Sequence, residues 1–290
     1  MPVTLPTEKA KPSSDLATKT VLIYGPPKIG KSTFASRFPG ALFLECEPGL
    51  NELEVFKTPT YTWDDFLQAC KLVAAGGHPF KTIVVDTADN AFKMCSEHVC
   101  RKHEIDYEGD MAHGKGWAMV KNEWHRVLTR LASLPYGLVL ISHAVDKTVE
   151  TRTGEYTKTQ PSLPDRARAV VLGLVDMILY CDTVPRKDAS GQVVIDRVIR
   201  TKPHPTYEAG DRTGRLPDVM PLDHNAFVKA FSSGTPAPAH APGFPGTPGT
   251  PGTPGTAGIP ANTTAPGNAP GTSAVATNTP GSTPPGKAHK

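Results

Sequence analysis

The stretch that decides the fold of this chain is Gly25-Pro-Pro-Lys-Ile-Gly-Lys-Ser-Thr33, which directly follows the apolar run Val21-Leu-Ile-Tyr24. The pattern G-x-x-x-x-G-K-[ST] between a strand and a helix is typical of a phosphate-binding loop, and a helical pattern begins here at Ser32. Gly25 and Gly30 allow the backbone to curl so that successive N–H groups point at phosphate oxygens. The stretch therefore predicts a nucleoside triphosphate site.

Two residues of this loop have separate expected roles in binding the nucleotide. Lys31 is expected to reach the β- and γ-phosphates, and the hydroxyl of Ser32 is expected to ligate Mg²⁺. The predicted nucleotide contacts are Gly25, Pro26, Pro27, Lys28, Ile29, Gly30, Lys31, Ser32 and Thr33. A turn that merely happens to carry Lys-Ser is the alternative, and the strand in front of the loop argues against it.

Strand-like and helix-like segments alternate after the loop, which predicts an α/β fold with a mostly parallel sheet covered by helices on both faces. The predicted strands after the loop are Ala41–Glu47, Lys81–Asp86, Gly137–Ser142 and Val175–Tyr180. Helical spacing of apolar residues predicts helices over Trp63–Ala75, Ala88–His103 and Trp117–Leu134. Ligands of such sheets bind at the carboxyl ends of the strands, so the residues there are expected to carry the chemistry.

Asp86 ends the run Ile-Val-Val-Asp and is the second predicted nucleotide motif. A carboxylate at this point, beside the phosphate loop, holds Mg²⁺ through its water shell. The alternative is an Asp that caps the helix beginning near Ala88.

Two further strand ends offer candidates for the reaction itself. Glu45 and Glu47 fall on the same face of a strand, and Glu47, nearer the tip, is the better candidate for the base that polarises the attacking water. Glu45 is then a supporting partner, although either carboxylate at a strand end is open to being simply solvated. Ser142-His143 ends the next apolar strand, where His143 either contacts the γ-phosphate or is a structural hydrogen-bonding residue.

The cysteines are odd in number and form no C-x-x-C pair, which favours reduced thiols. One cluster combines cysteine with histidine, namely Cys95, His98, Cys100 and His103. On a helix these side chains spread over more than half the circumference, so at most two could share a zinc ion. A partly buried helix with cysteine as a small apolar filler is favoured.

The composition divides the chain into a polar arm over 1–17, a folded domain over 18–231 and a tail over 232–290. The tail is made up mainly of Pro, Gly, Thr, Ala and Asn and has no Asp or Glu, which predicts an extended disordered segment rather than a collagen-like helix. A formal net charge of +3 neither demands nor excludes a nucleic-acid partner. Without an apolar leader or a stretch of membrane-spanning length, a cytoplasmic location and no membrane contact are expected.

Taken in order, the phosphate loop, Glu-x-Glu, Val-Val-Asp86, the loop Gly114–Trp117, Leu-Ile-Ser-His143 and the late segment Tyr207–Pro217 resemble the phage-encoded RecA-like ATPases of the AAA-24 type. The resemblance covers about residues 18–231. It implies a RecA-like P-loop core that uses ATP and Mg²⁺ in a host cytoplasm. Some members of this group act in single-strand annealing or recombination, often beside a single-stranded-DNA-binding protein, so both single-stranded DNA and such a protein are expected partners.

The resemblance also assigns roles to individual residues. Lys31 and Ser32 match the phosphate and Mg²⁺ ligands, Asp86 matches the acidic motif, and Glu47 matches the catalytic glutamate of recombinases. His143 stands where those enzymes carry a γ-phosphate-sensing glutamine, which is a departure from the pattern and makes pH-dependent turnover possible.

RecA-like enzymes bind ATP at subunit interfaces, so a homo-oligomer is expected in which Lys202 or Arg212 completes a neighbour's site. A local ion pair of Arg212 with Asp211 or Glu208 is the equally weighted alternative.

DNA contacts, if present, are expected in the loops that follow Asp86 and His143. The first contains Lys115 and Trp117, a phosphate contact and a stacking plane. The second spans 147–158, reads as a β-hairpin turning at Arg152-Thr-Gly-Glu, and is followed by Arg166 and Arg168. Solvated loops with ordinary charges explain both equally well. The function classes are thus an ATPase coupled to single-stranded DNA, a nucleotide-gated adaptor with little turnover and, less favoured, a small-molecule kinase.

Overall fold

The computed structural model describes residues 5–9, 13–152 and 154–234. The strands in this part are β1 Thr20–Gly25, β2 Ala41–Glu45, β3 Phe56–Pro59, β4 Thr82–Asp86, β5 Gly137–Thr151, β6 Gly154–Pro161, β7 Met177–Lys187, β8 Val193–Arg200, β9 Gly210–Asp211 and β10 Val219–Pro221. The α-helices are α1 Lys31–Ala35, α2 Trp63–Ala75, α3 Ala88–Lys102, α4 Lys115–Ala132, α5 Asp165–Leu174 and α6 His224–Ser233.

The central sheet is mostly parallel and has the order β10-β8-β7-β1-β5-β4-β2-β3. Parallel pairing runs without interruption from β7 to β3, whereas β8, β9 and β10 are antiparallel additions beyond β7. The central strands are continuous apolar runs because both of their faces are covered. The α/β fold class predicted from the sequence is confirmed.

Alternation along the strands divides the core between the two faces of the sheet. Leu22, Val85 and Leu140 face a layer formed by α2, α3, α4 and α5. Val21, Ile23 and their counterparts on β4 and β5 face a layer that includes α1 and α6. Helices therefore cover both faces, and the carboxyl ends of β1, β5, β4 and β2 lie along one edge of the sheet.

The helices fall close to their predicted positions. Thr62 caps α2, its hydroxyl accepting a hydrogen bond from the backbone N–H of Asp65 at 3.1 Å, and Gly76 ends the helix at φ 72°. α2 has the predicted bounds, α3 ends one residue earlier than predicted, and α4 begins two residues before Trp117 and ends at Ala132.

Two strands are longer than their apolar runs indicated. β5 continues past His143 to Thr151 and turns back as β6, so the predicted hairpin is present, with Thr151 paired to Gly154. β7 continues to Lys187 and forms a second hairpin with β8, which the sequence reasoning missed. The predicted strand Ala41–Glu47 is too long by two residues: β2 ends at Glu45, and Glu47 lies in the loop beyond it.

The ends of the described domain differ slightly from the predicted boundaries. Leu16, in the predicted arm, is buried and contacts the core, and α6 continues to Ser233. From residue 235 onward, the predicted tail lies outside the described residues. Among the residues that are described, no helix is both long and apolar enough to cross a membrane.

Candidate active site

The loop Gly25–Thr33 leaves the end of β1 and leads into α1, as its sequence predicted. Gly25 is packed so closely against β7 that a Cβ atom there would lie 2.5 Å from the backbone oxygen of Cys181. Gly30 directly precedes α1 at φ 113°, a conformation that favours glycine. Both glycines are therefore required by the path of the backbone.

Lys31 lies inside the loop, with only 6% of its surface exposed. Its ammonium donates hydrogen bonds to the backbone oxygens of Gly25 and Pro26, both at 2.9 Å. Burial lowers the pKa of Lys31, while the negative charges of Asp86, Asp89 and Glu47 oppose that shift. A phosphate placed in the loop would meet this ammonium directly.

Ser32 and Asp86 are in direct contact. The Oγ of Ser32 donates a hydrogen bond to Oδ2 of Asp86 at 2.7 Å. Burial raises the pKa of Asp86, and the hydrogen bond from Ser32 acts in the opposite direction. A hydroxyl beside a buried carboxylate is a donor set that suits Mg²⁺, which binds through one or two protein oxygens, waters and the phosphates of its nucleotide. The two predicted metal residues are thus brought together.

Glu47 reaches the same edge of the sheet from the loop after β2. Its Oε2 accepts a hydrogen bond from the side-chain amide of Asn90, and its Oε1 lies 3.9 Å from Nε2 of His143. Glu45 contacts other groups: its carboxylate binds Lys57 Nζ at 3.0 Å and the hydroxyl of Tyr61 at 3.1 Å. Of the two candidates for the base, only Glu47 joins the site.

His143 is held by Asp89, a residue that the sequence reasoning did not single out. Asp89 Oδ2 accepts from the backbone N–H of His143 at 2.7 Å and lies 3.0 Å from its Nδ1. Asp89 Oδ1 accepts from the hydroxyl of Ser142 at 2.5 Å. The hydrogen bond to Asp89 is the main reason that the pKa of His143 is raised, against the opposing effects of burial and of Lys31.

Asp89 and Asn90 lie in the first turn of α3, three and four residues after Asp86. Polar residues at the start of a helix usually serve as caps, and their sequence position alone gives little sign of another task. What could have indicated a functional role is that they follow closely after the carboxyl end of β4, where ligands of parallel sheets bind.

Lys202 and Arg212 lie far from the loop of their own chain. Arg212 follows β9 and its Nη1 lies 3.5 Å from Asp176, just before β7 begins. The N–H of Thr20, at the start of β1, also donates to Asp176, so Arg212 lies at the amino ends of the strands. Five residues at about 3.3 Å each separate that edge from Gly25. Lys202 is 3.7 Å from Asp211 at the same edge. Completion of a neighbour's site by either residue stays a prediction.

The cysteine and histidine cluster on α3 does not converge. Cys95 and Cys100 are buried, while His98 points toward Asp64, with Nδ1 3.4 Å from its Oδ1. In the described ranges no three His, Cys, Asp or Glu side chains are grouped as metal ligands. The apolar-filler interpretation fits this arrangement better than a zinc site.

Lys115 and Trp117 were expected in a loop but lie in the first turn of α4, and Arg166, which follows the predicted hairpin, lies on α5. The guanidinium of Arg166 lies over the ring of Trp117 at 5.4 Å. Several other cations of this region are bound to carboxylates: Lys147 and Arg168 contact Asp165, and Lys158 contacts Glu208. These ion pairs reduce the positive charge that the hairpin offers to a phosphate backbone.

A family model described as an AAA domain, AAA_24, matches residues 17–213. The chain belongs to the AAA_24 family. The match spans the phosphate loop, Glu47, Asp86 and His143 and ends within the segment that contains Arg212. Membership confirms the predicted P-loop family, and with it a domain of the nucleotide-binding type.

Among similar proteins is the SPbeta prophage-derived uncharacterized protein YorG of Bacillus subtilis strain 168, which is 28% identical over 171 residues, 57% of this chain and 51% of YorG. The chain thus spans about half the length of that relative. A solved structure, the KaiC-like protein PH0186 of Pyrococcus horikoshii OT3, aligns with a TM-score of 0.38 at 13% identity, over 63% of this chain and 79% of PH0186.

Proposed function

We propose that this AAA_24 protein is a Mg²⁺-dependent ATPase that couples ATP hydrolysis to binding of single-stranded DNA. The observation that supports the ATPase most strongly is the contact of Ser32 with Asp86 at 2.7 Å beside the buried ammonium of Lys31. These three groups supply a hydroxyl and a carboxylate for the metal and a cation for the β- and γ-phosphates.

Each side chain has a defined task in this proposal. Lys31 binds the β- and γ-phosphates in place of the two backbone oxygens that it now contacts. Ser32 and Asp86 hold Mg²⁺, which when bound neutralises the charge that develops on the phosphates. Glu47 accepts the proton of the attacking water, since Asn90 binds one of its carboxylate oxygens and leaves the other facing His143.

The continuity of β5 supports coupling to DNA. His143 lies within this strand, and the strand continues without a break into the β5–β6 hairpin. The N–H of Ser162, just after β6, donates to the backbone oxygen of His143 at 2.9 Å, which ties both strands of the hairpin to the site. A shift of His143 on nucleotide binding would therefore move the base of the hairpin.

Lys115, Trp117 and Arg166 are the residues we propose to contact DNA. Trp117 and Arg166 already lie against each other, and a base can stack on either an indole ring or a guanidinium. Binding of this kind is tolerant of sequence, as suits a protein that handles single strands beside a single-stranded-DNA-binding protein. We also propose that the active form is a homo-oligomer, because Lys202 and Arg212 can reach a phosphate loop only in another copy.

Steady-state phosphate release with Mg²⁺-ATP, measured with and without single-stranded DNA, tests the proposal. Release that DNA stimulates supports the coupled ATPase. Tight ATP binding with negligible release under both conditions would support the adaptor instead, and transfer of phosphate to an added small-molecule acceptor would support a kinase.

The variant Lys31→Ala is expected to lose ATP binding and turnover while it keeps its fold. The substitution removes the buried ammonium of the loop, and such charge-assisted contacts are among the strongest hydrogen bonds. Lys93→Ala is the matched control, since Lys93 is exposed on α3 and forms an ion pair with Glu97 at 3.9 Å, away from the phosphate loop. Wild-type turnover in Lys31→Ala would remove the basis of the proposed function.

A further inference from the structure

A cavity of about 380 Å³ lies against the phosphate loop on the side away from Glu47 and His143. Its walls include Gly30, Thr33, Arg37, Arg197, His224 and Asn225. The volume falls in the range of roughly 300–1,000 Å³ that is typical of small-molecule sites. Because Gly30 and Thr33 belong to the phosphate loop, the cavity adjoins the predicted phosphate-binding site.

The arrangement of the site fixes which end of a triphosphate faces this cavity. Glu47 and His143, which serve the γ-phosphate, do not line it, whereas Thr33, the residue after the metal ligand Ser32, does. A triphosphate chain that presents its γ end to Glu47 must direct its α end toward Thr33. The group attached to the α-phosphate then has this cavity in front of it.

Two arginines border the cavity from different elements. Arg197 of β8 donates from Nη1 to the backbone oxygen of Ile29 at 3.2 Å, so its guanidinium is fixed at the edge of the loop. Arg37 follows Thr33 by four residues and lies on the same side of that segment. Both are exposed. Guanidinium groups stack on aromatic ring faces, including those of nucleobases.

The ring of His224 forms part of the cavity wall. Its Nε2 is buried and has no hydrogen-bond partner among residues 5–9, 13–152 and 154–234. Its ring is packed against Phe34 and Phe38, with centroids 5.6 Å and 5.1 Å away, and burial lowers its pKa. The exposed side-chain amide of Asn225, which also lines the cavity, can both donate and accept a hydrogen bond, as recognition of a purine edge requires.

We infer that this cavity receives the purine nucleoside of the bound triphosphate, with Arg37 and Arg197 beside the base and His224 and Asn225 at the far wall. The inference rests on the proposed function and extends it to the residues that select the nucleotide. His224 and Asn225 come from α6, beyond residues 17–213 that the family model matches. Selection of the base is thus assigned to a segment outside the matched domain.

The test compares ATP with inorganic tripolyphosphate, which has the phosphates of ATP but no nucleoside. Dissociation constants of both ligands are measured by titration calorimetry with Mg²⁺ for the wild type, Arg37→Ala, Asn225→Trp and the control Arg130→Ala. Arg37 and Asn225 are exposed, and Arg130 is an exposed arginine on α4 that does not line the cavity. Thermal unfolding reports whether each variant is folded.

Arg37→Ala is expected to weaken ATP about threefold to fivefold, the size of one exposed cation–π contact. Asn225→Trp, which fills the cavity, is expected to weaken ATP at least about tenfold. Tripolyphosphate should bind every variant as it binds the wild type. Unchanged ATP binding in both cavity variants, or an equal loss for ATP and tripolyphosphate, would overturn the inference while leaving the ATPase intact. A wild type that binds neither ligand would overturn the proposed function itself.

Discussion

Asp89 forms three hydrogen bonds in the site, although we assign it no direct contact with the nucleotide or the metal ion. Its two oxygens accept from the hydroxyl of Ser142, the N–H of His143 and the ring of His143. It therefore positions His143 beside Glu47. A histidine held by a carboxylate differs from an amide at the same place because its charge depends on pH.

The pair His143–Asp89 is expected to make stability depend on pH. The pKa of His143 is raised above its ordinary value of 6.5, chiefly by Asp89, with Glu47 adding to the effect and burial and Lys31 opposing it. The stabilisation is thus fully present below about pH 6.5 and is lost as pH rises through the raised pKa of the folded protein. The melting temperature of the wild type should exceed that of His143→Gln by more at about pH 6 than at about pH 9.

Glutamine can still donate to Asp89 but carries no charge, so the comparison isolates protonation. Melting curves of both proteins at the two pH values provide the measurement. The same difference in melting temperature at both values would show that His143 is held by hydrogen bonding alone.

The junction of β1 with the phosphate loop depends on Gly25. A methyl group there would lie 2.5 Å from the backbone oxygen of Cys181 and 2.9 Å from its Cβ, so β1 and β7 would have to separate locally. Gly25→Ala is expected to lower the free energy of unfolding by about 1–3 kcal/mol, the usual cost of overpacking. It should also weaken ATP binding, because the loop starts at this residue.

Gly173→Ala on α5 is the matched control, since a Cβ at Gly173 has nothing within 4 Å. Alanine is the better helix former, so this variant should be as stable as the wild type or more stable by up to about 1 kcal/mol. Denaturant unfolding compares the two. A Gly25→Ala protein as stable as Gly173→Ala would show that the close approach of β1 to β7 is not tight in solution.

The elements that the sequence predicted well have strong periodicity or a decisive motif. α2 has the predicted bounds because Thr62 caps it and Gly76 ends it. β3 was missed since Phe56–Pro59 is a short edge strand whose residues are largely exposed. β8 was missed because its apolar run Val193–Ile195 is short, is followed by Asp196 and Arg197, and leaves Val193 and Ile195 exposed. Such strands are stabilised by pairing with a neighbour, which a local pattern does not reveal.

In the site, too, the residues that belong to a sequence motif could be predicted, whereas the others could be predicted only in part. Lys31, Ser32 and Asp86 were predictable because each belongs to a motif with a fixed spacing, and the structure brings them together. The sequence favoured Glu47 over Glu45 as the base but left open whether either carboxylate is simply solvated. Which of the two joins the site depends on where β2 ends. It also depends on Lys57 of β3 and on Tyr61 just after β3, because both bind the carboxylate of Glu45.

Among the described residues, the phosphate loop, Asp86, Glu47 and His143 lie along one edge of the sheet. The phosphate loop has Glu47 and His143 on one side and the cavity of Arg37 and Arg197 on the other. β5 leads from His143 into the hairpin whose base we propose to move when nucleotide binds. In our proposals, nucleotide selection and hydrolysis therefore use separate side chains on the two sides of the phosphate loop.

The most direct measurement is phosphate release by Glu47→Gln beside Glu45→Gln, each with its ATP dissociation constant. Glu47→Gln should slow hydrolysis by about 10²–10⁴-fold with little change in ATP affinity, because a base acts chiefly in the transition state. Glu45→Gln, whose carboxylate is bound to Lys57, should hydrolyse ATP nearly as the wild type does. Wild-type turnover in Glu47→Gln, or a loss confined to Glu45→Gln, would contradict the assignment of the site.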